Sequence, residues 1–288
     1  MAVPYKAPVK DIVFGYEVID SYNVLNKISA FSDFSEDIVI PTMEECAKFS
    51  EEVLAPINAI GDQQGATIKD GVVTMPEEFV DAYQKFAEAG WASISLPSDI
   101  GGGGMPITLS GGTLEILSTA NLAFGLAPGL SAGAISAINF HGSQEQKDKF
   151  LPKLVSGEWT GTMNLSEPQS GSDLGTITTK AEPQEDGTYK ITGTKVWITF
   201  GEHNMTENII HLVLAKVPGS PEGTKGISMF IVPKNNVNDD GSVGDSNNVS
   251  CISIEEKLGI HASPTCVMEY DGSVAVSYTH LTLPTMDS

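Results

Sequence analysis

The hydrophobic periodicity of this chain changes once, near residue 157, and that change restricts the fold more than any motif does. Before it, apolar residues recur at helical spacing. Pro76, Glu77 and Glu78 open a run in which Phe79, Val80, Tyr83, Phe86 and Ala87 share one stripe and Gly90 closes it, as in an amphipathic helix. Residues 36–54 repeat the theme through Ile38, Ile40, Met43, Ala47, Val53 and Leu54. Ser143-Gln144-Glu145-Gln146 reads as a capping box for a helix carrying Phe150, Leu151 and Leu154, which Pro152 is expected to bend or end. After residue 157, short β-rich runs (176–181, 189–192, 195–199, 209–217, 226–232, 249–254 and 265–270) alternate with turn residues. Asp186-Gly187 is a hairpin signal, and residues 235–248 form a long polar connection. The class is therefore α+β: an all-α helical half, then a compact β half, with a crevice between them suited to a cofactor. A Rossmann fold would need strands and helices to alternate, and here they are segregated.

Composition narrows the partners. The 288 residues include 37 Asp and Glu against 16 basic residues, every one of them Lys, for a formal charge of −21. A chain so acidic repels phosphate backbones and anionic membranes, which argues against nucleic acid. Without Arg, a phosphate-rich ligand must be held by backbone N–H groups, hydroxyls and Lys. Residues 116–144 carry no formal charge, long enough to test for a membrane span. Asn121, Gly125, Pro128, Gly129, Gly133, Asn139 and His141 interrupt the stretch, so it reads as two or three buried helix segments and no membrane span.

Several chemistries lack support. Cys46, Cys251 and Cys266 have neither the even count of a disulfide framework nor zinc-site spacing, which suits a reducing compartment. No signal peptide is visible, and the expected location is cytoplasmic. The five histidines show no ligand spacing, so they read as structural or surface groups and no metal is expected. Gly101 to Gly104 lack the Gly-Lys-Ser/Thr of a phosphate loop, and Ser166 lies outside a Gly-x-Ser-x-Gly elbow.

Two segments stand out. Residues 163–173, Met-Asn-Leu-Ser-Glu-Pro-Gln-Ser-Gly-Ser-Asp, pack hydroxyls and a Pro-stiffened turn into the junction between the halves. Such a loop can aim several donors at one ligand, or serve as an ordinary polar turn. Residues 193–201 place Trp197 two positions before Thr199, so that both project from one face of a strand. An indole beside a hydroxyl suits a flat heteroaromatic ligand.

At these residues the chain resembles the acyl-CoA dehydrogenase family. Leu165-Ser166-Glu167-Pro168 with Ser170-Gly171-Ser172-Asp173 is similar to its flavin loop, and Lys195 through Thr199 to its Lys-x-Trp-Ile-Thr flavin strand. Leu151-Pro152-Lys153-Leu154, Lys225-Gly226-Ile227-Ser228 and Glu256-Lys257-Leu258-Gly259-Ile260-His261 extend the match over most of residues 36–272. The opening residues and the string from Leu258 to Thr265 most resemble the bacterial 3-methylmercaptopropionyl-CoA dehydrogenase-like subgroup.

The resemblance implies an α+β fold with an N-terminal all-α helical domain and a β-barrel-like middle domain, FAD as cofactor, an acyl-CoA thioester as substrate and α,β-desaturation as the reaction. It also implies an electron-transfer flavoprotein as acceptor and a homo-oligomer at full length. Met163, Leu165 and Ser166 would line the flavin, with Gly171 and Ser172 at the loop, Ser172 contacting the pyrophosphate and bound acyl-CoA. Trp197, Ile198 and Thr199 would cover the other side. Glu167 and Asp173 would have structural duties. The family's proton-abstracting Glu belongs to a C-terminal helical domain not found in this chain, so no catalytic residue is assigned and the fragment is expected to be inactive. The expected organisation is an extension over 1–35, a helical domain over 36–156, a β domain over 157–275 and a non-native tail over 276–288. Acyl-CoA oxidase or nitroalkane-oxidase chemistry and a non-catalytic flavin or acyl-CoA binding module are the alternatives.

Overall fold

The computed structural model describes residues 4–279. Its first half is helical: α1 (Val9–Val18), α2 (Ser21–Leu25), α3 (Glu36–Phe49), α4 (Ala55–Gln64), α5 (Glu77–Glu88), α6 (Ile107–Ala120), α7 (Leu122–His141) and α8 (Gln144–Ser156). A small hairpin, β1 (Thr67–Lys69) with β2 (Val72–Thr74), interrupts them. The apolar stripe of α5 is buried as its spacing requires, with Phe79, Ala82, Tyr83 and Phe86 inside and Gly90 left-handed just past the helix. Phe86 meets Phe124 of α7 edge-on, with ring centroids 5.6 Å apart, a favourable aromatic geometry.

Two local expectations are corrected by packing. Residues 36–54 belong to a longer run, because a π-type turn over Ser50–Leu54 joins α3 to α4. Pro152 does not end α8, which continues to Ser156; burial of Phe150, Leu151, Leu154 and Val155 around it outweighs the lost backbone bond. The capping box at Ser143 and Gln146 opens that helix as expected. The charge-free stretch forms the end of α6 and one continuous α7 of 20 residues, with Pro128 inside it. By length and composition α7 could cross a membrane, yet one face, Ala123, Phe124, Ala127, Ser131, Ala134, Ile135 and Ile138, is buried in the molecule.

The second half is built from β3 (Trp159–Asn164), β4 (Lys180–Pro183), β5 (Tyr189–Thr199), β6 (Asn208–Lys216), β7 (Ile227–Pro233), β8 (Asn235–Val237), β9 (Val243–Ser246), β10 (Val249–Ile254) and β11 (Thr265–Thr279). Pairing runs β11 to β5, β4, β6 and β7, and β7 returns to β11, so the strands close a barrel. Strand β10 adds to β11, and β3 lies parallel to β6. β8 and β9 form a separate hairpin within the polar connection.

The runs 189–192 and 195–199 are one strand. At Gly193, between them, a Cβ would come within 2.5 Å of Thr179 Oγ1, so the close approach of the neighbouring segment requires glycine. The run 176–181 starts late as a strand, at Lys180, because Thr178 and Thr179 give their donors to Glu167 instead of to a ladder. Of the segment read as a foreign tail, 276–279 continue β11 along β7, and 280–288 lie outside the described residues.

The halves meet where α7 crosses β3. Gly161 N donates to Ser131 Oγ at 3.0 Å, and a Cβ on Gly161 would stand 2.4 Å from Ala134 Cβ. Gly161→Ala is therefore expected to cost about 1–3 kcal/mol in urea unfolding, and Ala134→Gly in the same chain to recover part of it. An unchanged midpoint for Gly161→Ala would show that the junction is looser than its packing indicates.

Candidate functional site

Residues 164–167 leave β3 and run beside β5. Three bonds zip the two segments together: Lys195 Nζ to the Leu165 carbonyl at 3.1 Å, Val196 N to the Ser166 carbonyl at 3.0 Å, and Lys195 Nζ to Glu167 Oε1 at 2.9 Å. Both charged side chains are buried, Lys195 at 0% and Glu167 at 1% exposure. Glu167 Oε1 also accepts from Thr179 N at 3.1 Å and Thr179 Oγ1 at 2.6 Å. Its Oε2 accepts from Thr178 N at 2.7 Å, Thr178 Oγ1 at 2.8 Å and Gln169 Nε2 at 2.7 Å.

Burial by itself would raise the Glu167 pKa. The hydrogen bonds from Thr179, Thr178 and Lys195, with the lysine charge, overcome it and hold the carboxyl at about 2. Burial lowers the Lys195 pKa, against the pull of Glu167. Asp173 caps a short turn by accepting from Gly175 N at 2.9 Å, and Ser170 Oγ donates to the Asp173 carbonyl at 2.6 Å.

The indole of Trp197 sits differently. Lys195 pairs with Met268 and Ile198 with Cys266, so Val196 and Trp197 together oppose Val267, a β-bulge. Trp197 has φ 59°, a left-handed conformation rare for a bulky residue, and the residue is 58% exposed. A large aromatic held strained and in solvent is unusual for a strand that otherwise closes a barrel core. Phe200, at the end of the strand, is also left-handed, at φ 51°, but buried.

The structure thus brings the two motif segments together. Met163, Leu165, Ser166 and Thr199 are half-buried, and Gly171 and Ser172 are exposed. Ile198 is buried, with its side chain in the barrel core, so any ligand contact from it is left to the main chain. Among the described residues the hydroxyls of Ser166, Ser172 and Thr199 and the Trp197 Nε1–H make no hydrogen bond. The rim therefore offers an aromatic face, apolar side chains and unspent neutral donors, a set that fits a flat heteroaromatic group with a phosphate tail.

Sequence reading placed Lys195 in a motif without seeing its role as the buried partner of Glu167. A lysine inside an apolar β run was the available signal. The histidines are structural or peripheral. His203 and His211 are fully buried, and burial, with the charge of Lys234 nearby, lowers both to about 3. They hydrogen-bond Thr160 at 3.0 Å and Thr162 at 2.7 Å. His261 pairs with Asp62 near the surface. Among the described residues no group of His, Cys, Asp and Glu could hold a metal.

A separate apolar cleft of about 310 Å³ opens in the helical half between α6, α7 and residues 91–96. Leu96, Leu117, Pro128 and Ala132 line it, with small residues Ser110, Gly111 and Gly129.

Residues 41–158 match the family described as "Acyl-CoA dehydrogenase, N-terminal domain", and residues 162–273 match "Acyl-CoA dehydrogenase, middle domain". The 3-methylmercaptopropionyl-CoA dehydrogenase of Ruegeria pomeroyi is 45% identical over 269 residues, covering 93% of this chain and 46% of that protein. A butyryl-CoA dehydrogenase of Syntrophomonas wolfei is 38% identical over 271 residues, 92% of this chain and 44% of the relative. The chain thus spans under half the length of these relatives. Among solved structures, an acyl-CoA dehydrogenase from Bacillus anthracis complexed with FAD superposes with a TM-score of 0.67 at 27% identity, covering 85% of this chain and 37% of that one.

The buried pair generates a prediction with a definite pH sign. Glu167→Gln leaves Lys195 charged and unpaired in the interior, and is expected to lower unfolding free energy by about 3–5 kcal/mol at pH 7. Because the folded-state pKa lies below the ordinary 4.5, the carboxylate's contribution is full above that value and is lost as pH falls towards 2. Urea melts at pH 7, 4 and 3 should show the gap between the two proteins closing in that order. A gap that stays constant would mean that Glu167 is not ionised in the fold.

Proposed function

Because this chain belongs to the acyl-CoA dehydrogenase family, whose N-terminal and middle domains it carries, we propose that it is the flavin-cradling part of an enzyme that desaturates acyl-CoA thioesters between the α and β carbons. The observation that carries this reading is the exposed Trp197, held on a strained bulge beside a loop of unspent donors. FAD, when bound, supplies the acceptor for the two electrons that leave the β-carbon as hydride.

This chain's own residues hold and orient. Met163, Leu165 and Ser166 flank the flavin ring system from the loop side, and Trp197 and Thr199 from the strand side. The free hydroxyls of Ser166 and Thr199 are donors for acceptor atoms on the ring edge. Gly171 and Ser172 meet the pyrophosphate, and Ser172 also the acyl-CoA, in a chain without Arg to clamp phosphate. The cleft near Leu96 and Leu117 is apolar enough to take an acyl chain. Glu167 does not abstract a proton, since its ion pair and threonine bonds occupy both oxygens. The base comes from the part of the protein that the longer relatives possess beyond this match. An electron-transfer flavoprotein as acceptor, a homo-oligomer at full length and a cytoplasmic setting complete the reading.

Titration of the 288-residue chain with FAD, followed by flavin and tryptophan fluorescence, is expected to show weak saturable binding. Trp197→Ala should weaken it roughly tenfold, about 1.4 kcal/mol, and Trp91→Phe should leave it unchanged. Binding indifferent to Trp197 would reject the cradle. No turnover of any acyl-CoA with a dye acceptor is expected, and measurable turnover would overturn the assignment of the base to another segment.

A further inference from the structure

Two of the three cysteines lie together in a place that the flavin chemistry does not use. Cys251 of β10 and Cys266 of β11 face the same side of an antiparallel pair and are both buried in the barrel core. Cys251 stands opposite Met268, two residues along β11 from Cys266 on the same face. The ladder slips between Cys251 and Ser253, leaving Ile252 as an extra, exposed residue. Each thiol donates to a backbone carbonyl, Cys251 Sγ to Ser253 at 3.2 Å and Cys266 Sγ to Glu202 at 3.9 Å. Cys46, the third cysteine, lies apart in the helical core with its thiol pushed up to about 12 by burial.

We propose that Cys251 and Cys266 form a redox-active dithiol that closes to an intramolecular disulfide when the protein meets a hydroperoxide.

The bond needs movement and access, and the structure provides for both. A bulged strand tolerates a small shift along its neighbour. Strand β10 is the terminal strand of its sheet path, covered at Cys251 by the three-residue strands of the β1–β2 hairpin, whose Gly71 lies over the Cys251 carbonyl. So short a hairpin is marginal by itself, and edge elements open locally at a fraction of the cost of global unfolding.

The roles of the two sulfurs differ. The neighbouring Cys266 thiol holds Cys251 below its usual value, whereas proximity to Cys251 and burial push Cys266 well above it. Cys251, as thiolate, attacks one peroxide oxygen; the O–O bond breaks, Cys251 becomes a sulfenic acid, and the other oxygen takes a proton and leaves as water, or as the alcohol of an organic hydroperoxide. Cys266 then loses its proton and attacks the sulfenic sulfur. The S–O bond breaks, water leaves, and the S–S bond forms, so two thiols are oxidised by two electrons and one peroxide is reduced.

The test is peptide mapping after exposure of the folded chain to hydrogen peroxide, quenched by an alkylating agent in denaturant. Loss of two of the three alkylatable thiols is expected, with a cross-linked peptide pair joining residues 251 and 266 and Cys46 still free. A reductant should restore all three. Retention of three thiols, a stable sulfinic acid at Cys251 without a cross-link, or disulfides only between molecules would each overturn the proposal. Cys251→Ala is expected to leave Cys266 alkylatable after peroxide. Should that variant not fold, Cys46→Ala serves in its place: it must show the same cross-link with no free thiol left. The readout needs neither FAD nor acyl-CoA, so it stands or falls apart from the flavin assignment.

Discussion

The buried pair between Glu167 and Lys195 is the constraint on which the rest of the site depends. It joins residues 28 positions apart, with both charges out of water. A buried ion pair is a poor source of net stability, because desolvation offsets most of the attraction. Its value here is positional. Glu167 collects donors from Thr178, Thr179, Gln169 and Lys195, and Lys195 also reaches the Leu165 carbonyl. Alternative registers of loop against strand would strand one charge in a low-dielectric interior, so only one register survives. The cost appears next door, where Thr178 and Thr179 are withdrawn from the ladder and β4 starts late.

With loop and strand locked, the bulge at Val196 and Trp197 becomes sustainable. A left-handed tryptophan costs of order 1–3 kcal/mol and persists only where its surroundings over-determine it. Here the Val196 N–H is fixed to Ser166, Ile198 is in the core, and the Phe200 N–H is held by the Pro264 carbonyl at 2.7 Å. Strain held in this way keeps the indole outside the barrel, where hydrophobic burial would otherwise draw it in. The same bulge strand lies against β11, so Cys266, opposite Ile198, places thiol chemistry one strand behind the proposed cradle.

The two halves meet at a close crossing of α7 and β3, with Gly161 and Ala134 as its narrow point. The outer face of α7 carries exposed Leu122 and Phe140. A helix so apolar throughout suits burial on more than one side.

The residues alone determined the class and the chemistry of the rim. Segregated periodicities implied a helical half and a β half, and the loop at 163–173 with the strand at 193–201 pointed to a flat heteroaromatic ligand, because hydroxyl and indole content is a local property. Capping at Ser143 and the strand from Val249 to Ile254 were equally legible. Tertiary structure decided what depends on non-local neighbours. Pro152 stays helical because its flanking residues are buried, α7 is continuous because its face packs on β3, and Lys195 is interior because Glu167 meets it. Contacts across long stretches of chain leave no trace in a short window of sequence, and the free energy of burying a charge is set by its partner, which only the fold supplies.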